Sequence, residues 1–425
     1  MTTIWFLIYN VIILPFMYLI FRAGSIFNKK IKEGFQDRKG LFPKLEKDIS
    51  TLDRNKKLIW FHSASMGEFE QAKPIIEKLK SEHDVNIIVT FFSPSGYRNS
   101  LKYKHKDVIA YLPFDSTRMV RKFINIVRPD QMVFMRYDFW PNLLRELKKQ
   151  TVPMFLVDAT MRKDSKRSVP GSRSFHKIIF SMFERILTVS TDDLNNFEMY
   201  NIPDEKLLAV GDTRFDRVYT KYKHANELKL IEEHLFENKK VVVLGSSWPS
   251  DEEVVLTALK KLLAADSNLR IILVPHEPTV HRLEKIEENL NGKISNIRFS
   301  HLNKYNNEQI IIVDSIGILV SLYYYADIAY IGGSFKQGVH NVLEAAVYGI
   351  PVLFGPRITN SQEALKLVEL KCGTILKSVE EAELKFKELL YNDQLRKESG
   401  EISFNYVNGN IGATDKIVNE LARYI

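Results

Sequence analysis

The chain has 425 residues, 45% apolar and 26% charged, which excludes a disordered polypeptide and leaves room for two domains with separate cores. Its single cysteine, Cys372, excludes internal disulfides and cysteine-based zinc sites, and ten histidines without an HExxH spacing argue against a structural metal. The net charge of +8 is spread along the chain without an RNA-binding or zinc-finger signature, so it suits a nucleotide, a phosphorylated lipid or an acidic membrane rather than nucleic acid.

Residues 4–21 carry no charge and are interrupted only by Asn10 and Pro15. As a helix this stretch would span ~27 Å, slightly short of a ~30 Å hydrocarbon core. Arg22, Lys29, Lys30 and Lys32 follow it and no charged side chain precedes it, which places the rest of the chain in the cytoplasm. A cleavable signal peptide has the reverse order of charge. Residues 1–22 are therefore expected to be a retained membrane anchor, the alternative being a buried or interfacial helix.

A polar connector with one short helix is expected up to Lys56. Strands are predicted at 58–62, 85–92, 108–111, 131–135, 154–157, 186–189 and 208–210. A helix at 70–80 turns Ile75, Ile76 and Leu79 inward. These elements make residues 23–220 an N-terminal domain. Residues 221–240, charged and helical without core character, read as a linker. Strands at 241–245, 270–275, 309–313, 327–331 and 351–354 build a second domain over 241–405. Helical segments from residue 380 end in a helix at 411–424, and residues 406–425 are expected to pack back on the N-terminal domain. Short strands alternating with helices predict α/β architecture: two doubly wound, Rossmann-like domains with a cleft between them. Ligands in such sheets sit at the carboxyl ends of the strands.

The loops at those ends carry the chemistry. HSASMGE (62–68) leaves the first strand, with Gly67 allowing a tight turn and Glu68 near a helix start. A carboxylate there serves as a general base or as a helix cap, and the helix dipole is expected to weaken it as a base. SPSG (93–96) offers hydroxyls and a turn to a sugar or phosphate. RYDFWPN (136–142) sets Asp138 beside two aromatics where a helix should begin, in a catalytic or a structural role. GDTRFDR (211–217) reads as a solvated cluster of charges, and GSSWPSDE (245–252) supplies donors suited to phosphate. The segment GGSFKQGVHNVLEAAVYGIPVLFGP (332–356) couples a Gly-Gly turn to a helix expected to start near His340. His340 and Glu344 would then share one face, the loop holding a phosphate and the carboxylate a ribose diol.

Together these loops resemble the 3-deoxy-D-manno-octulosonate (Kdo) transferases of lipopolysaccharide synthesis. The resemblance runs nearly end to end: an N-terminal apolar segment, WFHSASMGE, TFFSPSG, YLPFD (111–115), DFWPN, GDTRFD, GSSWPSDEE, PHEP (275–278) and the GG…HNxxE segment. It implies a GT-B glycosyltransferase whose N-terminal half takes lipid IVA and whose C-terminal half takes CMP-Kdo, at the cytoplasmic side of the inner membrane. No metal, cofactor, nucleic acid or obligate protein partner is implied. Glu68 would be the general base of an inverting transfer, and Asp138 stands where the family has a glutamate. Arg214, Ser246, Ser247, His276, Gly333, Ser334, His340, Asn341 and Glu344 would bind the donor, and Ser65, Gly67, Ser93, Ser95 and Gly96 the acceptor. The family segment NAR-x-S reads Asp158-Ala159-Thr160-Met161-Arg162 here, with Arg162 in place of the missing arginine. The rivals are a GT-B enzyme using a UDP-sugar and a non-catalytic, membrane-anchored nucleotide-binding protein.

Overall fold

The computed structural model describes residues 2–165, 167, 169, 171–290, 292 and 294–425. Two compact units emerge, Met1–Arg217 with Ile411–Ile425, and Val218–Asn410. The boundary falls inside the helix Thr213–Leu228, so residues 221–240 belong to the second unit.

In the first unit, β1 (Leu58–Ser63), β2 (Asn86–Phe91), β3 (Val108–Tyr111), β4 (Gln131–Met135), β5 (Met154–Ala159), β6 (Arg185–Thr188) and β7 (Leu207–Ala209) form one sheet. Their order is β3-β2-β1-β4-β5-β6-β7, and every pair is parallel. Runs such as LIWFHS and NIIVTF are buried along their whole length because both faces are covered. Alternation along the strands divides them between two cores. Trp60, Phe134 and Leu156 face one, and Ile59, Phe61, Val133 and Phe155 the other. The helix Met66–Glu82 starts four residues earlier than the 70–80 pattern predicts, because Ser65 and Glu68 close a capping box. Ile75, Ile76 and Leu79 are fully buried beneath it.

The chain's last helix, Ala413–Ala422, lies in this same unit. Asp216 accepts from the Gly412 and Thr414 N–H groups at 2.7 and 2.8 Å, and Gln131 donates to Leu421 O at 3.1 Å. At the other terminus, apolar helix runs through a π-helical turn, Tyr9–Ile13, to Phe27. Its Ile4–Phe27 portion is long and apolar enough to cross a membrane, and it extends five residues past the expected end at 22. Two helices, Lys29–Asp37 and Leu41–Ser50, occupy the region where a connector with one short helix was expected.

The second unit repeats the architecture with β8 (Lys240–Ser247), β9 (Leu269–Pro275), β10 (Asn296–Arg298), β11 (Ile310–Ile312), β12 (Ile328–Ile331), β13 (Val352–Phe354) and β14 (Gly373–Ile375). The order is β10-β11-β9-β8-β12-β13-β14, again all parallel. β10 and β14 lack an apolar run, so periodicity does not reveal them; they exist because β11 and β13 offer an open edge. Strand order reverses between β1 and β4 in one unit and between β8 and β12 in the other. At such switch points the crossover helices diverge to opposite faces and leave a crevice for ligand.

Candidate functional site

In the first unit the loops after β1 and β4 flank the switch point. Parallel register sets His62 directly beside Thr90, and period two puts Trp60 on the same face as His62. Trp60 Nε1–H donates to Thr90 Oγ1 at 2.7 Å, and Thr90 Oγ1 lies 2.9 Å from His62 Nδ1. His62 Nε2 stands 2.9 Å from Asp138 Oδ2. With Nε2–H given to the carboxylate, Nδ1 accepts the threonine hydroxyl, so one row of bonds fixes ring, tautomer and carboxylate together. His62 is buried, whereas 22% of the Asp138 side chain reaches solvent. Asp138 sits in the loop before the helix Pro141–Lys149, three residues ahead of its start. His62 lies inside the first motif yet had no sequence-assigned role. Its signal is the alternation Trp60-x-His62 opposite Thr90, which becomes meaningful only when β1 and β2 are paired.

Glu68 is held by the backbone at its own helix start. One oxygen, Oε2, accepts from the Ala64 and Ser65 N–H groups at 2.6 and 3.2 Å, and the side chain is half buried. Burial pushes its carboxyl above the ordinary range, the two backbone bonds pull it down, and the charge of Asp138 pushes it up again. The helix dipole was expected to weaken this base; desolvation outweighs the two backbone N–H bonds at the helix start. Glu68 is thus a helix cap and a more basic carboxylate at once.

The residues expected to bind the acceptor divide by geometry. Ser65 spends its hydroxyl on the cap, and Ser93 caps the short helix Pro94–Asn99 through the Gly96 N–H at 3.1 Å. Ser95 Oγ lies 3.4 Å from Ser93 Oγ. Gly96 has no alternative, since a Cβ there would stand 2.5 Å from the Phe91 ring. Gly67 is different: it is helical, and a Cβ would meet only Ser65 Oγ at 3.9 Å, so no tight turn requires it.

Nearby, the fully buried Asp158 accepts from the Thr213 hydroxyl and N–H at 2.5 and 3.3 Å. Burial, then the charge of Asp212, raises its carboxyl. Arg214, expected to bind the donor, lies in this unit, and its guanidinium forks onto Asp212 at 2.5–3.0 Å. Arg162 is exposed.

In the second unit the loops after β8 and β12 flank the other switch point, and Asp251 ties them together. Its Oδ2 accepts from Trp248 N–H at 2.9 Å and Gly333 N–H at 2.8 Å, and its Oδ1 from the Tyr330 hydroxyl at 2.8 Å. Gly332 must be glycine, because a Cβ would lie 2.2 Å from Ser246 O, and Gly333 has φ +93° with Gly338 O 2.4 Å from any Cβ. On this frame sits a platform of three rings. Trp248 Nε1–H donates to His340 Nε2 at 3.0 Å, with the two rings within 4° of parallel. The exposed His276 ring stacks over both, its centroid 4.6 Å from each. Burial, with His276 beside it, holds the His340 imidazole below its ordinary range, leaving Nε2 free to accept the indole N–H.

The other residues expected to bind the donor differ in what the fold leaves them free to do. Ser246 follows the bend of β8 at φ +52° and is partly exposed. Ser247 is buried and donates to Glu252 at 2.8 Å. Ser334 is fully buried, accepting the Gly355 N–H at 2.5 Å, so it braces two loops and presents nothing outward. The helix expected from His340 begins at Leu343 and ends at Ala346, because Asn341 Oδ1 captures the Leu343 N–H at 3.2 Å in a local turn. His340 and Glu344 therefore do not share a helix face. Glu344 is partly buried and paired with Lys221 at 3.1 Å. Asp251 and Trp248 were missed as site residues, although both stand in the GSSWPSDE motif.

No three His, Cys, Asp or Glu side chains among the described residues converge on a metal position. Residues 33–217 match the family profile of 3-deoxy-D-manno-octulosonic-acid transferases. A 3-deoxy-D-manno-octulosonic acid transferase of Aquifex aeolicus is 31% identical over 361 residues, 84% of this chain and 91% of that protein. One from Rickettsia felis is 28% identical over 426 residues, 96% and 90% of the two chains. Among solved structures, the UDP-GlcNAc 2-epimerase of Neisseria meningitidis bound to UDP-GlcNAc superposes with a TM-score of 0.58 at 16% identity, over 87% of this chain and all of that one. A glycosyltransferase of Rickettsia africae does so with 0.53 at 15%, over 87% and 98%. These two likenesses establish the GT-B-type fold.

Proposed function

The chain belongs to the 3-deoxy-D-manno-octulosonic acid (Kdo) transferase family, and from that premise we propose that it transfers Kdo from CMP-Kdo to the primary hydroxyl of lipid IVA in lipopolysaccharide synthesis. The transfer inverts the anomeric centre. As the acceptor oxygen bonds to the anomeric carbon, its proton passes to Glu68, and the bond to the CMP phosphate breaks with its electron pair going to phosphate. The observation that carries this reading is Glu68 itself, aimed by two backbone N–H bonds on one oxygen and held more basic than a solvated carboxylate. Asp138, locked on His62, orients the loop and keeps negative charge beside the base.

The second unit takes CMP. The Trp248–His276–His340 rings offer a flat apolar and hydrogen-bonding surface to the nucleoside, and the Gly332–Gly333 turn lets phosphate approach the backbone. CMP leaves as a monophosphate, so backbone donors meet its charge and no metal is called for. The apolar N-terminal helix holds the enzyme at the cytoplasmic face of the inner membrane.

The test is to incubate the purified protein with tetra-acylated disaccharide lipid and freshly made CMP-Kdo and weigh the product by mass spectrometry. The expected result is lipid heavier by one or more Kdo residues. Transfer from a UDP-sugar instead, or CMP binding with no transfer to any lipid, would overturn the proposal.

A further inference from the structure

The apolar N-terminal helix is docked along its length on the first unit. Trp5 packs on Phe175 with centroids 5.7 Å apart, and the Arg145 guanidinium lies 4.9 Å over the Phe6 ring. Further along, Tyr18 and Phe21 meet Phe114 at 5.7 and 6.5 Å. Between these apolar ends are two polar pins. The Tyr9 hydroxyl donates to Asp115 Oδ2 at 2.8 Å, and the amides of Asn10 and Asn142 exchange hydrogen bonds of 2.7 and 3.0 Å. The socket is rigid in turn, since Asp115 accepts the N–H groups of Asn142 and Leu143 at 2.8 and 2.9 Å. Asp115 closes the YLPFD motif and Asn142 the DFWPN motif, and the transfer chemistry gives neither residue a task.

The opposite face is bare. Leu7, Val11, Phe16 and Leu19 recur at helical spacing and are 63–64% exposed, and the basic side chains of Arg22, Lys29, Lys30 and Lys32 follow, all exposed. Contacts with the first unit run from Trp5 to Phe21, about 24 Å of helix at 1.5 Å per residue. If that length crossed a bilayer, Asp115, Asn142 and the sheet ends behind them would have to enter hydrocarbon, where unsatisfied polar groups cost several kcal/mol each.

We propose that the N-terminal helix lies along an anionic bilayer surface with its axis parallel to the membrane, and that Asp115 and Asn142 form the socket that fixes the first unit against it. An exposed apolar face followed by lysines and arginines suits that interface. The consequence is positional. Asn142 stands four residues after Asp138, so one short segment joins the socket to the His62–Asp138 pair and sets the height of the candidate acceptor site above the lipid.

The test uses the chain's single, buried cysteine. In a Cys372→Ser background, Leu7→Cys and Leu19→Cys are each labelled with a nitroxide in the full-length protein. Depth is then read by collision with oxygen and with a polar nickel reagent in vesicles of phosphatidylcholine and phosphatidylglycerol. The two labels are expected at one shallow depth, with vesicle binding at least ~10-fold weaker in phosphatidylcholine alone, because the basic residues that follow the helix lose their anionic partners. A depth difference approaching ~18 Å, the rise of twelve helical residues, would overturn the proposal in favour of a spanning helix. A chain that ignores vesicles and pairs with a second copy through this face would overturn it too. Tyr9→Phe combined with Asn10→Ala removes the pins while leaving the apolar face whole. Circular dichroism and the thermal transition check its folding. Unequal depths and faster label motion are expected; unchanged labels would refute the socket. None of these readouts depends on what the protein transfers.

Discussion

Replacing Glu68 by glutamine separates the capping job of this side chain from the base job proposed for it. The amide oxygen of glutamine accepts the same Ala64 and Ser65 N–H groups, and glutamine is an ordinary partner in a capping box. Stability should therefore change by no more than ~0.5 kcal/mol. What disappears is the proton acceptor, and a positioned base contributes ~10²–10⁴-fold, or about 3–5 kcal/mol of barrier. Glu68→Ala loses the base and the cap together, adding a stability loss of ~0.5–2 kcal/mol. Initial rates of Kdo transfer, CMP-binding calorimetry and thermal unfolding on all three proteins decide the matter. Both variants should lose the same rate and keep CMP binding, while only alanine lowers the melting temperature. The pH profile adds an independent signature. Because burial raises the Glu68 carboxyl, activity should fall on the acid side at a pH above the ordinary carboxylate range. The glutamine variant should lack that limb. If Glu68→Gln keeps more than about a tenth of the activity, against the 10²-fold floor for a lost base, or if its acid limb is unchanged, Glu68 is a cap alone.

Four further outcomes are expected. Gly332→Ala drives a Cβ into Ser246 O at 2.2 Å, backbone that cannot swing away; it should cost at least ~1–3 kcal/mol in denaturation and abolish CMP binding. Gly67→Ala, whose Cβ meets only Ser65 Oγ at 3.9 Å in a helix, should instead stabilise by up to ~1 kcal/mol in the same experiment. His276→Ala removes the ring that covers Trp248 and His340 and should weaken CMP roughly 3- to 10-fold by calorimetry, the worth of an aromatic stack; unchanged affinity would place the nucleoside elsewhere. The Asp115 carboxyl, pushed up to about 7 chiefly by burial, stays protonated in the folded chain where the unfolded chain has already ionised. The stability of wild type relative to Asp115→Asn should therefore decline as pH rises from about 4 to about 7, by on the order of 4 kcal/mol, and a rise would refute it.

The sequence by itself determined the α/β class, the positions of most strands and the polar loops that leave their carboxyl ends. Parallel strands covered on both faces must be apolar runs, and the polar residues that follow each run stand at the ligand end of the sheet. Those are local facts, readable in LIWFHS or in GSSWPSDE without knowing what lies alongside. Spacing failed where a side chain outcompeted periodicity, as at Asn341, whose turn delays the helix to Leu343, and where a strand exists only through its partner, as at β10 and β14. Tertiary structure alone decided which polar groups are spent inside the fold. Ser334 and Ser247 look like phosphate ligands in sequence and are buried braces in space, while Arg214 is forked onto Asp212. Conversely, His62 acquires its role only when β1 and β2 pair and bring Thr90 beside it, and the apolar helix becomes a docked surface only through Asp115 and Asn142, more than a hundred residues away. The physical reason is the same in each case. A hydrogen bond is a short-range agreement between two groups, and the chain's folding chooses the second.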